Sequence, residues 1–573
     1  MYDLIVRHGT IVDGTGAPPF VGDIAVHGGR IVAVGPKLDG DATEIIDARG
    51  LLVTPGFVDI HTHYDGQVTW DPLLEPSTLH GVTTLVMGNC GVGFAPVRPG
   101  SEQWLIELME GVEDIPGTAL AEGMTWGWET FPQYLDALER MPRAIDIGTQ
   151  VPHGAVRAYV MGERGARNEP ATAADIAAMK DIVREALEAG AFGFSTSRTL
   201  AHKAIDGEPV PGTFAAEDEL FGIGEALREL GRGLYELAPA GAAGEDIITP
   251  KKEVDWMCRL SAALGRPVTF ALAQVDAAPD LWRELMDETR RAVDDGAQVY
   301  PQIAGRPAGV LVGLQSNHAF KGRPSYDEIA HLPLEQRVVE LRDPQRKARI
   351  LAETVEFTNP FAQYMGTQLH RIYVLGNPPN YEPGPEMSVQ AIADREGVEL
   401  QSKLYDLLLE EDGKALLMFP FLNYSHGNGD ATYEMLRHPM GAMGLSDGGA
   451  HCGSICDASM PTWMLTHWAR DRVRGPKLAL EHVVKKQTRD TARLYGMRDR
   501  GTVEVGMKGD LNLIDFTRLT LHPPVMAYDL PAGGRRFLQS ASGYVATIVS
   551  GEIVRREGVD TGARPGRLVR AGH

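Results

Sequence analysis

At 573 residues the chain is too long for one ordinary domain, so two domains or one barrel with insertions are expected. Apolar residues make up 43% and charged residues 23%, a balance that supports a large buried core. Lys and Arg number 55 against 77 Asp and Glu, and the net charge of −22 argues against a nucleic-acid-binding face.

Residues 1–55 alternate Val/Ile-rich runs with Gly turns (DLIVRHGTIVDG, GDIAVHGGRIVAVG, EIIDARGLLVTPG), which predicts short antiparallel strands. No basic stretch followed by an apolar run opens the chain, as a signal peptide needs. No apolar run approaches the roughly 20 residues of a membrane span. The four cysteines, Cys90, Cys258, Cys452 and Cys456, are too few for a disulfide framework and suit a reducing compartment. The expectation is a cytoplasmic chain with no membrane partner. Its composition leaves a homo-oligomer open.

From 56 to 495 apolar runs alternate with amphipathic stretches such as ADIAAMKDIVREALEAG. The runs fall at 56–63, 83–90, 144–154, 190–197, 233–240, 267–274, 297–305 and 443–450. Strand–helix alternation implies parallel strands, and eight units imply an α/β fold, a (β/α)8 TIM-like barrel. An open doubly wound sheet is the alternative. Residues 310–440 exceed any connector and predict an insertion over the barrel's C-terminal mouth, where barrel active sites form. Residues 496–573 return to β texture (GTVEVGMKGDLNLIDF, GYVATIVSGEIVRREG). With 1–55 they predict a small β-sandwich domain built from both termini.

Chemistry concentrates at strand ends. In GFVDIHTHYD, His61 and His63 are two apart, so a strand end aims both imidazoles at one face and one metal ion. Cys90, in the GNCG that ends the second run, lies level with them and offers a soft thiolate suited to zinc. Its alternative is a small buried hydrophobe. Asp447, in the SDGG that ends the eighth run, is a carboxylate able both to bind a metal and to move a proton.

These segments resemble the amidohydrolase superfamily and, within it, the N-acyl-D-amino-acid deacylase (D-aminoacylase) family. The resemblance runs from DLIVRHGTIVDGTGAP through PGFVDIHTHYD, GVTTLVMGNCGVGFAP, MEGVEDIPG, HGAVR and LSDGGAH to GMKGDLNLIDF. It implies a barrel plus a small β-sandwich, bound zinc, and hydrolysis of a small-molecule amide, an N-acylated D-amino acid. It assigns His61, His63, Cys90 and Asp447 as metal ligands, with Asp447 catalytic. The chain departs from the family pattern where strands five and six normally end in histidines: Ala238 and Leu272 stand there, and Gln274 replaces a basic residue that helps hold the substrate carboxylate. A single zinc rather than two follows. Glu236, at the strand parity of Ala238, is read as a replacement ligand or an interior carboxylate paired to an arginine. His153, Arg306, Glu236 and His451 are the further candidates for substrate contact. One of His426, His438 and His451 is expected to order Asp447 or the metal. Rival readings are hydrolysis of a cyclic amide, lactone or ester on the same scaffold, and a non-catalytic binding or assembly protein derived from it.

Overall fold

The computed structural model describes residues 1–356 and 360–572. Residues 357–359, inside the expected insertion, and residue 573, at the end of the expected β domain, lie outside the described residues.

Eight parallel strands follow one another around a closed ring: Phe57–Asp59, Val82–Met87, Asp146–Thr149 continued by Val151–Pro152, Gly193–Ser197, Leu234–Ala238, Val268–Ala271, Val299–Ile303 and Ala442–Met443. Closure lies beyond the ladder of the last strand. Gly448 bridges Thr62 in parallel, the His63 amide donates to the Gly448 carbonyl (2.8 Å) and the Asp447 amide to the His61 carbonyl (3.2 Å). The expected barrel is therefore present, and its seam is made by the segments that carry His61, His63 and Asp447. Strands two and eight are shorter than their apolar runs: the chain turns to left-handed backbone at Gly88 (φ 77°) and Leu445 (φ 57°), just past the ladders, and again at Cys90 (φ 55°) and Asp447 (φ 47°).

The helices follow their sequence signals. Ala173–Ala189 is opened by a capping box of Thr172 and Asp175, ends on Gly190 at φ 114°, and buries Met179, Val183, Ala186 and Leu187 along one face. Strands Leu52–Pro55 and Leu511–Ile514 pair antiparallel, so the two chain ends share one nine-stranded sheet. Its core draws on both ends, including Leu4, Val6, Ile24, Val53, Leu511 and Ile548.

Two C-terminal segments leave that sheet for the barrel. The hairpin of Val525–Leu530 and Gly534–Leu538 reaches the loop after the last strand, where the Phe537 amide donates to the Cys452 carbonyl (2.7 Å). Residues 566–569 run along strand three, the Val569 amide donating to the Ile147 carbonyl (2.7 Å).

Ala308–Val312, Leu417–Leu422 and Tyr373–Val374 form a separate three-stranded sheet between strands seven and eight. Phe320, Tyr326, Leu404, Tyr405 and Phe419 are part of its core. It is pinned to the loop after strand six: the Asn423 amide donates to the Gln274 carbonyl (2.9 Å), and the Gln274 amide to Asn423 Oδ1 (2.7 Å).

Candidate metal centre

His61 Nε2, His63 and Cys90 Sγ converge at the mouth, their ligand atoms lying within 4.8 Å of one another, all buried. Cys90 Sγ is 3.4 Å from His61 Nε2. Asp447 closes the group: its Oδ1 lies 3.4 Å from His61 Nε2 and 3.7 Å from His63 Nε2. Its side chain is 26% exposed, against 1% for each histidine, so Asp447 alone of the four faces both the ligands and the opening.

Backbone conformation explains the convergence. Cys90 turns out of strand two at positive φ, and its amide donates to Glu236 Oε2 (3.0 Å). A Cβ on Gly91 would meet the Ser197 amide at 2.9 Å, so only glycine lets this turn seat against strand four. The Gly91 amide donates to Ser195 Oγ (3.1 Å). Gln302, from strand seven, accepts from His61 Nδ1 at 2.8 Å, which leaves Nε2 as the free lone pair.

The electrostatics favour a cation. Asp65, Glu113 and Glu236 are buried around the histidines, with Asp65 Oδ2, Glu113 Oε1 and Glu236 Oε1 lacking hydrogen-bond partners. Burial pushes Glu236 up to about 8 and Asp65 to about 7, and raises Glu113 and, far more, the Cys90 thiol. Burial lowers His61 to about 4. Burial also opposes a charge on His63, but Glu113 and Asp447 outweigh it and lift His63 to about 9. Against the cost of burial, His63 and His61 hold the Asp447 carboxyl well below its usual range. Orphaned carboxylate oxygens around two imidazoles and a thiol fit a divalent metal, and this N/S donor set suits zinc.

Glu236 gives a pH test on the metal-free protein. Between its unfolded value near 4.5 and its folded value near 8, the folded state holds a proton that the unfolded state has released, so stability falls as pH rises across that window. The drop in Tm from pH 5 to pH 8 is expected to be smaller in Glu236→Gln than in the unaltered protein. Equal drops in melting scans would refute this.

Other sequence candidates separate clearly. His153 is not available to substrate, because Nδ1 is engaged by Thr196 Oγ1 (2.8 Å) and Nε2 by Glu219 Oε1 (2.9 Å), a carboxylate also bound by Arg157. Arg306 is likewise consumed: it is fully buried, donates to Asp457, Ser459 Oγ and the Cys456 carbonyl, and lies 3.6 Å over the Tyr381 ring. Glu236 meets the Cys90 amide rather than an arginine, and its Oε1 is 3.8 Å from His61 Nδ1. Of the three histidines near strand eight, His451 faces the centre, its Nε2 3.8 Å from Glu113 Oε2. His426 instead lies exposed beside Asp280, and the His438 carbonyl accepts from Lys486. Gln274 is fully buried: its Nε2 donates to the Pro279 carbonyl and its Oε1 accepts from the Ser425 amide, so it latches the insertion. Ala238 and Leu272 are buried and offer no donor.

Glu113 and Gln302 are functional neighbours that strand-end spacing did not single out. Gln302 was visible as a polar residue within the seventh run. His202, beyond strand four, bonds Ser197 Oγ through Nδ1 (3.0 Å); burial first, then His451 and His63, lower it to about 3.

A model described as "Amidohydrolase family" matches residues 44–555. A D-aminoacylase of Alcaligenes xylosoxydans xylosoxydans is 26% identical over 574 residues, covering 99% of this chain and 97% of that protein. An N-acyl-D-aspartate deacylase of the same organism is 36% identical over 233 residues, 41% of this chain and 42% of that one. The crystal structure of an N-acyl-D-glutamate deacylase from Bordetella bronchiseptica, complexed with zinc and a phosphonate inhibitor, superposes with a TM-score of 0.66 at 24% identity, covering all of both chains.

Proposed function

We propose that this chain, which belongs to the amidohydrolase family, is a metal-dependent hydrolase of linear amides that cleaves the acyl–nitrogen bond of an N-acyl amino acid or related N-acyl compound. The observation that carries this reading is the placement of one partly exposed carboxylate, Asp447, against both imidazoles of a His61–His63–Cys90 donor set. Similarity to a D-aminoacylase along nearly the whole chain supports the linear amide as the bond broken.

An amide resists water because water is a weak nucleophile and the amine a poor leaving group. His61, His63 and Cys90, with Asp447 as a further ligand, would hold a zinc ion, which would supply Lewis acidity to the carbonyl and lower the pKa of water toward roughly 7. The chain's own residues do the rest. Asp447, ionised at neutral pH, accepts the proton of the attacking water and delivers it to the departing nitrogen. Gln302 fixes His61 in the tautomer that presents Nε2. The insertion packs over the loop that follows strand six, beside the mouth. Among the described residues no helix is long and apolar enough to cross a membrane.

Gln274 and Arg306 are both committed to protein partners, so neither holds a substrate carboxylate. The test is a panel of N-acyl-D- and N-acyl-L-amino acids, N-acyl amines without a carboxylate, lactones and cyclic amides, run on zinc-loaded protein. Linear amides are expected to exceed the cyclic substrates by at least about tenfold in kcat/KM, about 1.4 kcal/mol of transition-state discrimination. A preference for a lactone or cyclic amide would move the protein to that chemistry. No turnover of any substrate by metal-loaded protein would make it a binding protein.

A further inference from the structure

We propose that Glu113 is a positioning residue of the metal centre, a carboxylate that holds His63 from behind so that Nε2 faces the metal and ties His451 to the same support. This rests on the metal-site reading above.

Glu113 ends the helix Glu102–Glu113, within the MEGVEDIPG segment, and is 2% exposed. Its Oε1 lies 3.4 Å from His63 Nδ1 and its Oε2 3.8 Å from His451 Nε2. Neither Glu113 Oε1 nor His63 Nδ1 has a hydrogen-bond partner among the described residues, and the two lie 3.4 Å apart, each buried and facing the other. The opposite nitrogen of His63 faces Asp447. A buried carboxylate behind an imidazole fixes its tautomer and raises its basicity as a ligand. Glu113 meets the nitrogen that points away from Asp447, which makes it a support rather than a ligand.

The chain delivers Glu113 by a specific route. A Cβ on Gly111 would lie 2.5 Å from the Ala204 carbonyl carbon and the Ile205 amide nitrogen, so glycine lets the helix end press against the loop after strand four. The next residue, Asp114, turns at φ 51°. The backbone then locks to the loop after strand eight: the His451 amide donates to the Glu113 carbonyl (2.5 Å), the Cys452 amide to the Asp114 carbonyl (3.2 Å), and Ser454 Oγ to Asp114 Oδ2 (2.8 Å). These bonds already fix the loop without the Glu113 side chain. The buried carboxylate is therefore left to act on the two histidines. It also sets an asymmetry: His61 Nδ1 bonds the Gln302 amide oxygen at 2.8 Å, with Glu236 Oε1 further off at 3.8 Å, whereas His63 Nδ1 faces the Glu113 carboxyl at 3.4 Å.

The test compares full-length protein with Glu113→Gln, which keeps the shape and the backbone bonds but removes the charge. Zinc affinity, measured by competition with a chromophoric chelator, is expected to fall about 10–100-fold. The cobalt-loaded absorption spectrum is expected to shift, and Glu113→Asp to recover part of the affinity. Zinc affinity within threefold of the unaltered protein, with an unchanged cobalt spectrum, overturns the proposal. If Glu113→Gln does not fold, proton NMR of the unaltered zinc protein decides. A strongly deshielded ring N–H that disappears in His63→Asn supports the contact, and its absence overturns it. Zinc binding by the unaltered protein with no effect of Glu113→Gln sinks this inference alone, whereas failure of the unaltered protein to bind zinc sinks the metal-site reading with it.

Discussion

Asp447→Asn is expected to lower kcat by about 10²–10⁴-fold, the span that a positioned general acid–base contributes. Because Asp447 is also read as a ligand, the variant is assayed at saturating zinc with its bound metal measured, so that lost proton transfer is separated from lost metal. Asn keeps the volume and a carbonyl oxygen for His61 and His63, and it tolerates the left-handed backbone at position 447 better than most residues. The closure bond from the 447 amide to the His61 carbonyl is a backbone contact and survives. Fold and melting temperature should therefore change little, while the group that accepts a proton from water is gone. Release of free amine from an N-acyl substrate, followed beside circular dichroism, measures both. A variant that keeps activity within tenfold of the parent would remove Asp447 from the proton-transfer role.

Legibility in the sequence stops where contacts become long-range. His61 and His63 announce themselves because two-residue spacing at a strand end aims both side chains one way, and the barrel keeps that geometry just beyond its last ladder residue. Cys90 and Asp447 were legible from their Gly-flanked turns, which the positive φ angles now account for. His153 and Arg306 also sit at strand ends, yet strand position does not show saturation. Their partners Glu219 and Asp457 lie 66 and 151 residues further along the chain. Glu113 is the converse case. Nothing in a helix end at 113 reports that it will return to His63; that depends on Gly111 seating against residues 204–205 and on the bond from the His451 amide. The C-terminal hairpin and tail fall within 496–573, a span assigned to the β domain from the texture of GTVEVGMKGDLNLIDF and GYVATIVSGEIVRREG. The tail instead bridges Arg143 and Ile147 of the barrel, and the hairpin pairs with itself and bonds the loop after strand eight, long-range contacts that local texture does not report.

Removal of the metal is expected to abolish turnover, and zinc to restore it at about one equivalent per chain. Without the ion, Asp65, Glu113 and Glu236 face one another's charge in a buried space whose facing bases are imidazoles, and burial keeps Glu236 protonated up to about pH 8. Binding a dication reverses that balance: the Cys90 thiol must ionise, and the surrounding carboxylates lose the protons that burial favoured. Affinity should thus rise with pH through the range 7–8. Calorimetric titrations in two buffers of different ionisation enthalpy should show net proton release. Stoichiometry follows from the donors. Ala238 and Leu272 offer no nitrogen where the family pattern has histidines, so one zinc shared by His61, His63, Cys90 and Asp447 is the expected stoichiometry. Metal saturation should also raise the melting temperature, since zinc at about 1,000 times its Kd stabilises the folded state by about 4 kcal/mol. Elemental analysis after dialysis against a chelator, paired with activity during zinc add-back, reads the outcome. Activity that persists in protein with less than about a tenth of an equivalent of metal would end the metal-dependent mechanism, and a requirement for two equivalents would mean that Glu236 or another buried carboxylate completes a second site.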